Sequence, residues 1–336
     1  MKFSVKPAAL AVASVLALAG AAQAQNVKVA FIEGLSGPFG GVGQNQLKHF
    51  QYAAERFSGK QANSGVTVEI VPMDSKGSPQ EALALTTNTQ PVMLTAGVAA
   101  WRAWLAAGGP MPVVVAGHSL GEYSALCAAG ALDLATTARL LKLRGQAMQA
   151  AVPVGVGAMA ALLGADIEKA QGLADAAAQG EVCTVANDND PSQVVISGHR
   201  GAIERAIELV KDHGIKRGIL LPVSAPFHCP LMQPAADAMA QALADASLQA
   251  PLVPVYANVA AAPVADAETI KALLVEQVTG RVRWRESVVA MFDNGVHEFV
   301  EFGGKVLAPM VKRSAQDANA TSVISMDDIE ALMKGL

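Results

Sequence analysis

Residues 116–125, A-G-H-S-L-G-E-Y-S-A, leave this chain few options. They follow an apolar run at 112–116 and precede an alanine-rich segment, and their centre, residues 117–121, has the spacing G-x-S-x-G. A buried strand that turns sharply into a helix needs glycines beside the turn, because side chains there would collide with the strand or the helix. Such a turn pushes the Ser119 hydroxyl outward and places it before a helix N-terminus. Backbone N–H groups and the positive end of the helix dipole there favour a developing oxyanion. The N–H of Leu120, directly after the serine, is the natural first donor. A tight strand–helix turn with a capping serine produces the same spacing, so the motif by itself leaves both roles open.

A serine nucleophile needs a base, and the chain has six histidines. His228 lies in L-P-V-S-A-P-F-H-C-P-L-M, read as a loop between a strand and a helix, where functional groups commonly sit. Pro222, Pro226 and Pro230 restrict that loop and can fix the imidazole. His118 adjoins the serine, but neighbours on an elbow diverge, so it is expected to support the site. His49, His199, His213 and His297 fall in segments that read as helix or surface turn. Cys127, Cys183 and Cys229 are too few and too scattered for a disulfide framework or a C-x-x-C metal site, so small buried hydrophobes are expected and no metal site is.

The 336 residues suffice for one large or two ordinary domains, and 52% apolar against 16% charged residues allows a sizeable core. A net charge of −4 gives no electrostatic reason to expect nucleic acid or an anionic membrane as partner. The N-terminus has Lys2 and Lys6, an apolar stretch at 8–19 and small residues ending in Ala22-Gln23-Ala24. That is the layout of a secretory signal peptide over residues 1–24, too short for a stable membrane span and expected to be cleaved after Ala24.

Two resemblances meet in the chain. Residues 25–80 read as strand, glycine-rich loop, helix and strand (27–32, 46–57 and 66–71). With the leader they resemble the start of a periplasmic binding protein for branched-chain amino acids, on the wording L-S-G-P-F-G-G-V-G and V-P-M-D-S-K-G-S-P-Q-E-A-L. The second strand–helix series that such a protein needs for its other lobe does not follow. Residues 81–109 read as helices interrupted at Pro91 and stopped by Gly108-Gly109. No charge run or Pro/Ser-rich linker marks a join near residue 80.

From about residue 81 to the C-terminus, seven motifs occur in the order and spacing of malonyl-CoA:acyl-carrier-protein transacylases. They are N-T-Q-P-V-M-L-T-A, A-G-H-S-L-G-E-Y-S-A-L, L-K-L-R-G-Q-A-M-Q-A-A, G-A-M-A-A-L-L-G, A-N-D-N-D-P-S-Q-V-V-I-S-G-H, L-P-V-S-A-P-F-H-C-P-L-M and E-F-G-G-K-V-L. The resemblance implies a malonyl-serine intermediate on Ser119 with His228 handling the proton. It implies malonyl-CoA and acyl carrier protein as substrates, and no cofactor. The histidine would be oriented by a backbone carbonyl at Gln277, the malonyl carboxylate held by Arg144, and the site supported by Asn187. The reaction belongs in the cytoplasm, whereas a used signal peptide would place the chain in the periplasm. An exported solute-binding protein and a serine hydrolase, with water in place of the carrier thiol, are the competing functions.

The elements 158–163, 166–178, 182–186, 193–197, 202–213 and 217–223 alternate as βαββαβ, a ferredoxin-like unit that serves this family as a small subdomain over about residues 157–223. A helix at 231–246, a strand at 253–256, a helix through Gln277, a strand at 297–301 and a closing helix follow. The expected fold class is therefore α/β: an α/β-hydrolase-like acyltransferase core with an inserted ferredoxin-like subdomain. The family opens with a strand and a G-Q-G-S-Q loop whose second glutamine completes the oxyanion hole. This sequence has no such loop, and Gln44 and Gln46 lie off the family's spacing from the strand.

Overall fold

The computed structural model describes residues 25–33, 44, 47–49, 51, 52, 54, 55, 66–74 and 86–335. The expected leader over 1–24 and Gln46 lie outside the described residues. Contacts divide the chain into two units, Met1–Ala82 and Leu83–Leu336. In the first, β1 (Gln25–Glu33) and β2 (Val66–Asp74) pair in parallel with Gln25 opposite Val66 and Glu33 opposite Asp74. Described residues between 44 and 55 are helical, so this unit is a βαβ crossover.

The second unit opens with α1 (Thr86–Ala106), one continuous helix with Pro91 inside it. The interruption expected at Pro91 does not occur. Proline removes one intrahelical hydrogen bond, at a cost of about 3 kcal/mol. Here Gln90, Leu94, Val98, Trp101 and Trp104 are buried on the same helix, and that packing outweighs the loss. The apolar run at 112–116 yields only a two-residue strand, β3 (Val115–Ala116), parallel to β8 (Val255–Ala257), which also pairs antiparallel with β9 (Ala262–Val264). Helices α2 (Leu120–Ala128) and α3 (Leu134–Ala150) follow β3, and Tyr123, Leu126, Leu140, Leu141 and Met148 join Leu94 and Val98 in the largest core.

The ferredoxin-like unit forms as the element order requires. Its strands are β4 (Gly157–Leu163), β5 (Cys183–Asp190), β6 (Gln193–His199) and β7 (Arg217–Leu220), with helices α4 (Ile167–Ala178) and α5 (Arg200–Leu209). The sheet order β5-β6-β4-β7 is antiparallel throughout. Its own core contains Leu162, Leu173, Ile196 and Ile203. Strand β5 runs four residues past its expected end, with register shifts after Val185 and after Asp188. Bulges re-aim side chains, and here the re-aimed tip joins the two subdomains. Asp188 accepts from Nε and Nη2 of Arg285, and Asp190 accepts from Nε of Arg313.

After the small subdomain come α6 (Gln233–Asp245), β8, β9, α7 (Ala267–Thr279), α8 (Trp284–Asp293), β10 (Glu298–Phe302), α9 (Leu307–Ser314), β11 (Asn319–Val323) and α10 (Met326–Met333). Strands β9 and β11 and helices α8 and α10 lie outside the sequence-based reading. Strands β10 and β11 pair in parallel. Helices packed on short, mostly parallel strands, with an inserted antiparallel sheet, make this an α/β fold. Among the described residues no helix is long and apolar enough to cross a membrane.

Candidate active site

Ser119 stands between β3 and α2 with φ 52° and ψ −111°. A non-glycine residue held in a sparsely populated region of φ/ψ space costs on the order of 1–3 kcal/mol and persists only where the surroundings enforce it. Gly117 is one enforcer, because a Cβ there would lie 2.0 Å from the carbonyl oxygen of Gly121. The second flanking glycine is different: among the described residues a Cβ at Gly121 meets nothing within 4 Å. The expected collision holds for Gly117 alone. The Ser119 side chain makes no capping bond. Its hydroxyl instead lies 2.7 Å from Nε2 of His228.

His228 sits at φ 57°, in the left-handed region, in the loop that follows β7. Pro226 packs where a side chain at position 157 would stand, since a Cβ on Gly157 would meet its ring at 2.2 Å. The Nδ1 atom of His228 faces the main-chain carbonyl of Gln277 at 2.8 Å. A carbonyl can only accept, so Nδ1 carries the proton and Nε2 is left to accept the Ser119 hydroxyl proton. Burial, reinforced by the positive charge of Arg144, pushes the imidazole down to about 3, so it is neutral at ordinary pH.

Arg144, on α3, is 1% exposed. Its Nη2 donates to Ser119 Oγ (3.1 Å) and to Oε1 of Gln277 (2.9 Å), and its Nη1 donates to Oε1 of Gln90 (2.9 Å). All three acceptors are neutral, and among the described residues none of the ion pairs involves Arg144. A desolvated guanidinium held by neutral oxygens beside a nucleophile is suited to a carboxylate ligand, which it can take bidentately.

Gln277 therefore serves twice, through its carbonyl and its amide. Its Nε2 donates to the carbonyl of Ser119 (3.0 Å) and to Oε2 of Glu122 (2.8 Å). Glu122 is 2% exposed, and burial pushes its carboxyl up to about 7 against the lowering effect of its hydrogen bonds and of Arg144. Its Oε2 also accepts from the backbone N–H of Asn258 (3.0 Å). The Asn258 side chain reaches the elbow, with Oδ1 accepting from Ser119 N–H (2.7 Å) and Nδ2 donating to Gly117 O (2.8 Å).

The structure thus brings together Ser119, Leu120, His228, Arg144 and Gln277. Leu120 is the first residue of α2, so its N–H falls at the helix N-terminus beside Ser119. His118 points away and pairs through Nε2 with Oδ1 of Asn189 (2.8 Å), its ring against Trp284. Asn187 is buried at the bulge of β5, bridged to Val282, and among the described residues no hydrogen bond links it to Ser119 or His228. Its neighbour Asn189 is the residue that reaches the elbow. Gln90, Glu122, Asn189 and Asn258 complete the site and were not singled out from sequence. Glu122 and Gln90 lie within recognised motifs, while Asn258 carries no local signal beyond following a strand. Among the described residues no group of three His, Cys, Asp or Glu side chains could hold a metal ion.

Comparison with known proteins fits this geometry. Residues 45–325 match the acyl transferase domain family. The malonyl CoA-acyl carrier protein transacylase of Salmonella typhimurium is 43% identical over 264 residues, 78% of this chain and 85% of that protein. The Bacillus subtilis protein of the same name is 38% identical over 312 residues, 92% and 97% of the two chains. Among solved structures, an acyl-carrier-protein S-malonyltransferase from Bartonella henselae has a TM-score of 0.74 at 41% identity, covering 93% of this chain and 99% of its own. A malonyl-transacylase in complex with a type II polyketide acyl carrier protein has a TM-score of 0.75 at 35% identity, covering 93% and 100%.

Glu122 and His228 act in opposite senses on stability. Glu122, raised from 4.5 to about 7, keeps a proton that the unfolded chain releases, so its contribution is lost as pH rises from 4.5 through 7. His228, lowered from 6.5 to about 3, stays neutral where the unfolded chain binds a proton, so its contribution is lost as pH falls from 6.5 towards 3. Between 4.5 and 6.5 the two slopes offset. Glu122→Gln removes the first, and urea unfolding of that variant is expected to gain stability relative to wild type as pH rises from 4.5 to 7. A difference independent of pH over that window would count against the raised carboxyl.

Proposed function

The chain belongs to the malonyl-CoA–acyl carrier protein transacylases of the acyl transferase family, and from that premise we propose how its residues divide the work. The reaction is transfer of a malonyl group from malonyl-CoA to the phosphopantetheine thiol of acyl carrier protein, a step of fatty acid synthesis. Ser119 Oγ attacks the thioester carbonyl and gives its proton to Nε2 of His228. The N–H of Leu120 donates to the resulting oxyanion at the N-terminus of α2. Collapse of the tetrahedral intermediate breaks the carbon–sulfur bond, and the leaving coenzyme A thiolate takes the proton back from His228. The second half mirrors the first: the carrier thiol loses its proton to His228 and attacks the ester, and Ser119 leaves with that proton.

Arg144 holds the malonyl carboxylate. Burial is the main cause that depresses His228, and the Arg144 charge adds to it; seating the malonyl anion offsets that second contribution. No metal or organic cofactor enters these steps. The observation that carries the reading is one hydroxyl oxygen with a neutral imidazole at 2.7 Å and an unpaired buried guanidinium at 3.1 Å. A nucleophile for general ester hydrolysis needs the first of these and has no use for the second.

We further propose that residues 1–24 act as a leader and that residues 25–80, which resemble a periplasmic binding protein, stand where the family has its own opening segment. Supporting this, the likeness to solved transacylases covers 93% of the 336 residues and so leaves out about 24, which puts more than half of residues 25–80 within the aligned span, yet the G-Q-G-S-Q wording is absent. Intact mass of the protein from its native host is expected to show a chain beginning at Gln25. A mature chain retaining Met1 would exclude the leader.

Incubation with labelled malonyl-CoA is expected to leave label on the wild-type protein and none on Ser119→Ala. Arg144→Ala should reduce the preference for malonyl over acetyl thioesters roughly a hundredfold, the scale of removing one partner of a buried charge pair. Ester cleavage whose acyl preference is untouched by Arg144→Ala would favour the hydrolase instead. Loss of one oxyanion donor costs about a hundred- to a thousandfold in rate. A variant carrying a G-Q-G-S-Q loop after β1 is expected to recover turnover on that scale, and unchanged turnover would mean that the hole is complete without it.

A further inference from the structure

The elbow carries a strained serine, and most of what holds it comes from one side chain that none of the recognised motifs contains. Asn258 follows β8, as Gly117 follows β3, and the two strands are parallel neighbours with Ala116 opposite Tyr256. Both residues therefore stand just past the carboxyl ends of adjacent strands, the place where open α/β sheets build their sites. The carboxamide of Asn258 spans the elbow from one side of His118 to the other. Oδ1 takes the N–H of Ser119 at 2.7 Å, and Nδ2 serves the carbonyl of Gly117 at 2.8 Å. The orientation of the amide is fixed by its partners, since an N–H must meet the oxygen and a carbonyl must meet the nitrogen.

Asn258 is itself rigidly mounted. It is 1% exposed, its N–H donates to Oε2 of Glu122 at 3.0 Å, and its carbonyl accepts from the N–H of Arg283 at 2.9 Å. The same Glu122 oxygen receives Nε2 of Gln277, whose carbonyl orients His228. One buried carboxyl group, that of Glu122, thus ties the bracket on the nucleophile to the residue that aims the base.

We propose that Asn258 is a positioning residue for acyl transfer: its carboxamide brackets the Ser119 elbow and holds Oγ in line with Nε2 of His228. It touches neither the substrate carboxylate nor the reacting carbonyl. Its removal should slow formation of the acyl-enzyme and leave substrate binding unchanged. The inference rests on Ser119 being the nucleophile, and it holds for any acyl group.

The test compares Asn258→Ala and Asn258→Asp with wild type in three measurements: single-turnover acylation by malonyl-CoA, labelling by a fluorophosphonate, and malonyl-CoA affinity in a Ser119→Ala background. Displacements of about 1 Å in reacting groups cost on the order of a hundredfold in rate. The alanine variant is expected to lose roughly thirty- to a hundredfold in both acylation and fluorophosphonate labelling, with Kd within about twofold of wild type. Aspartate keeps the acceptor for Ser119 N–H and loses the donor to Gly117 O, so its loss should be intermediate. Acylation and labelling within threefold of wild type in a folded alanine variant would overturn the proposal, and so would a loss of affinity as large as the loss of rate. If the alanine variant does not fold, the aspartate variant decides by the same criteria, with a tenfold loss at unchanged Kd as support. A wild-type protein that reacts with the fluorophosphonate and not with malonyl-CoA would sink the malonyl assignment, while the labelling comparison still judges Asn258.

Discussion

A single backbone conformation, Ser119 at φ 52° and ψ −111°, is the constraint on which the site depends. It turns the hydroxyl away from the helix it precedes, so that Oγ meets His228 instead of capping α2. Such a conformation relaxes unless several contacts oppose relaxation together. Gly117 clears the space, Asn258 holds the peptide groups on both sides of His118, and Gln277 holds the Ser119 carbonyl. His228 is in the left-handed region as well, with its imidazole locked to the Gln277 carbonyl. Both reacting side chains are thus presented from backbone that only a finished fold can enforce.

The electrostatics follow from burial more than from pairing. Arg144 donates only to neutral oxygens of Gln90, Gln277 and Ser119, and so places a positive charge without a direct ion-pair partner among the described residues next to the nucleophile. For His228, desolvation and the Arg144 charge act in the same direction and keep the base neutral. For Glu122 desolvation works against hydrogen bonds and the same arginine, and desolvation wins. The outcome is a ready base, a cation waiting for an anion, and a carboxyl whose main task is mechanical, joining Asn258 to Gln277.

Legibility in the sequence varied with how local each constraint is. The βαββαβ unit was readable because short apolar strand segments and helical segments follow one another along one stretch of chain, and its first helix begins at a good cap, Asp166, whose side chain accepts from the N–H of Lys169. Pro91 misled because helix propensity is local, whereas the buried face of α1 is supplied by the rest of the core. Strand β5 was read four residues short for a similar reason. Its tip, Asn187–Asp190, is polar by composition and becomes buried only because Arg285, Arg313 and His118 meet it from the other subdomain.

By itself the sequence determined the βαββαβ order, the G-x-S-x-G turn with Leu120 behind it, and, through ordered motifs, the family and the positions of His228, Arg144 and Gln277. These depend on residue type and spacing along one stretch of chain. Only the tertiary structure decided that Asn258, 139 positions away, binds the N–H of Ser119, that Glu122 joins it to Gln277, and that Asn189 rather than Asn187 meets His118. Those contacts connect distant segments through single hydrogen bonds, and an isolated asparagine or glutamate carries no periodic pattern that announces its partner.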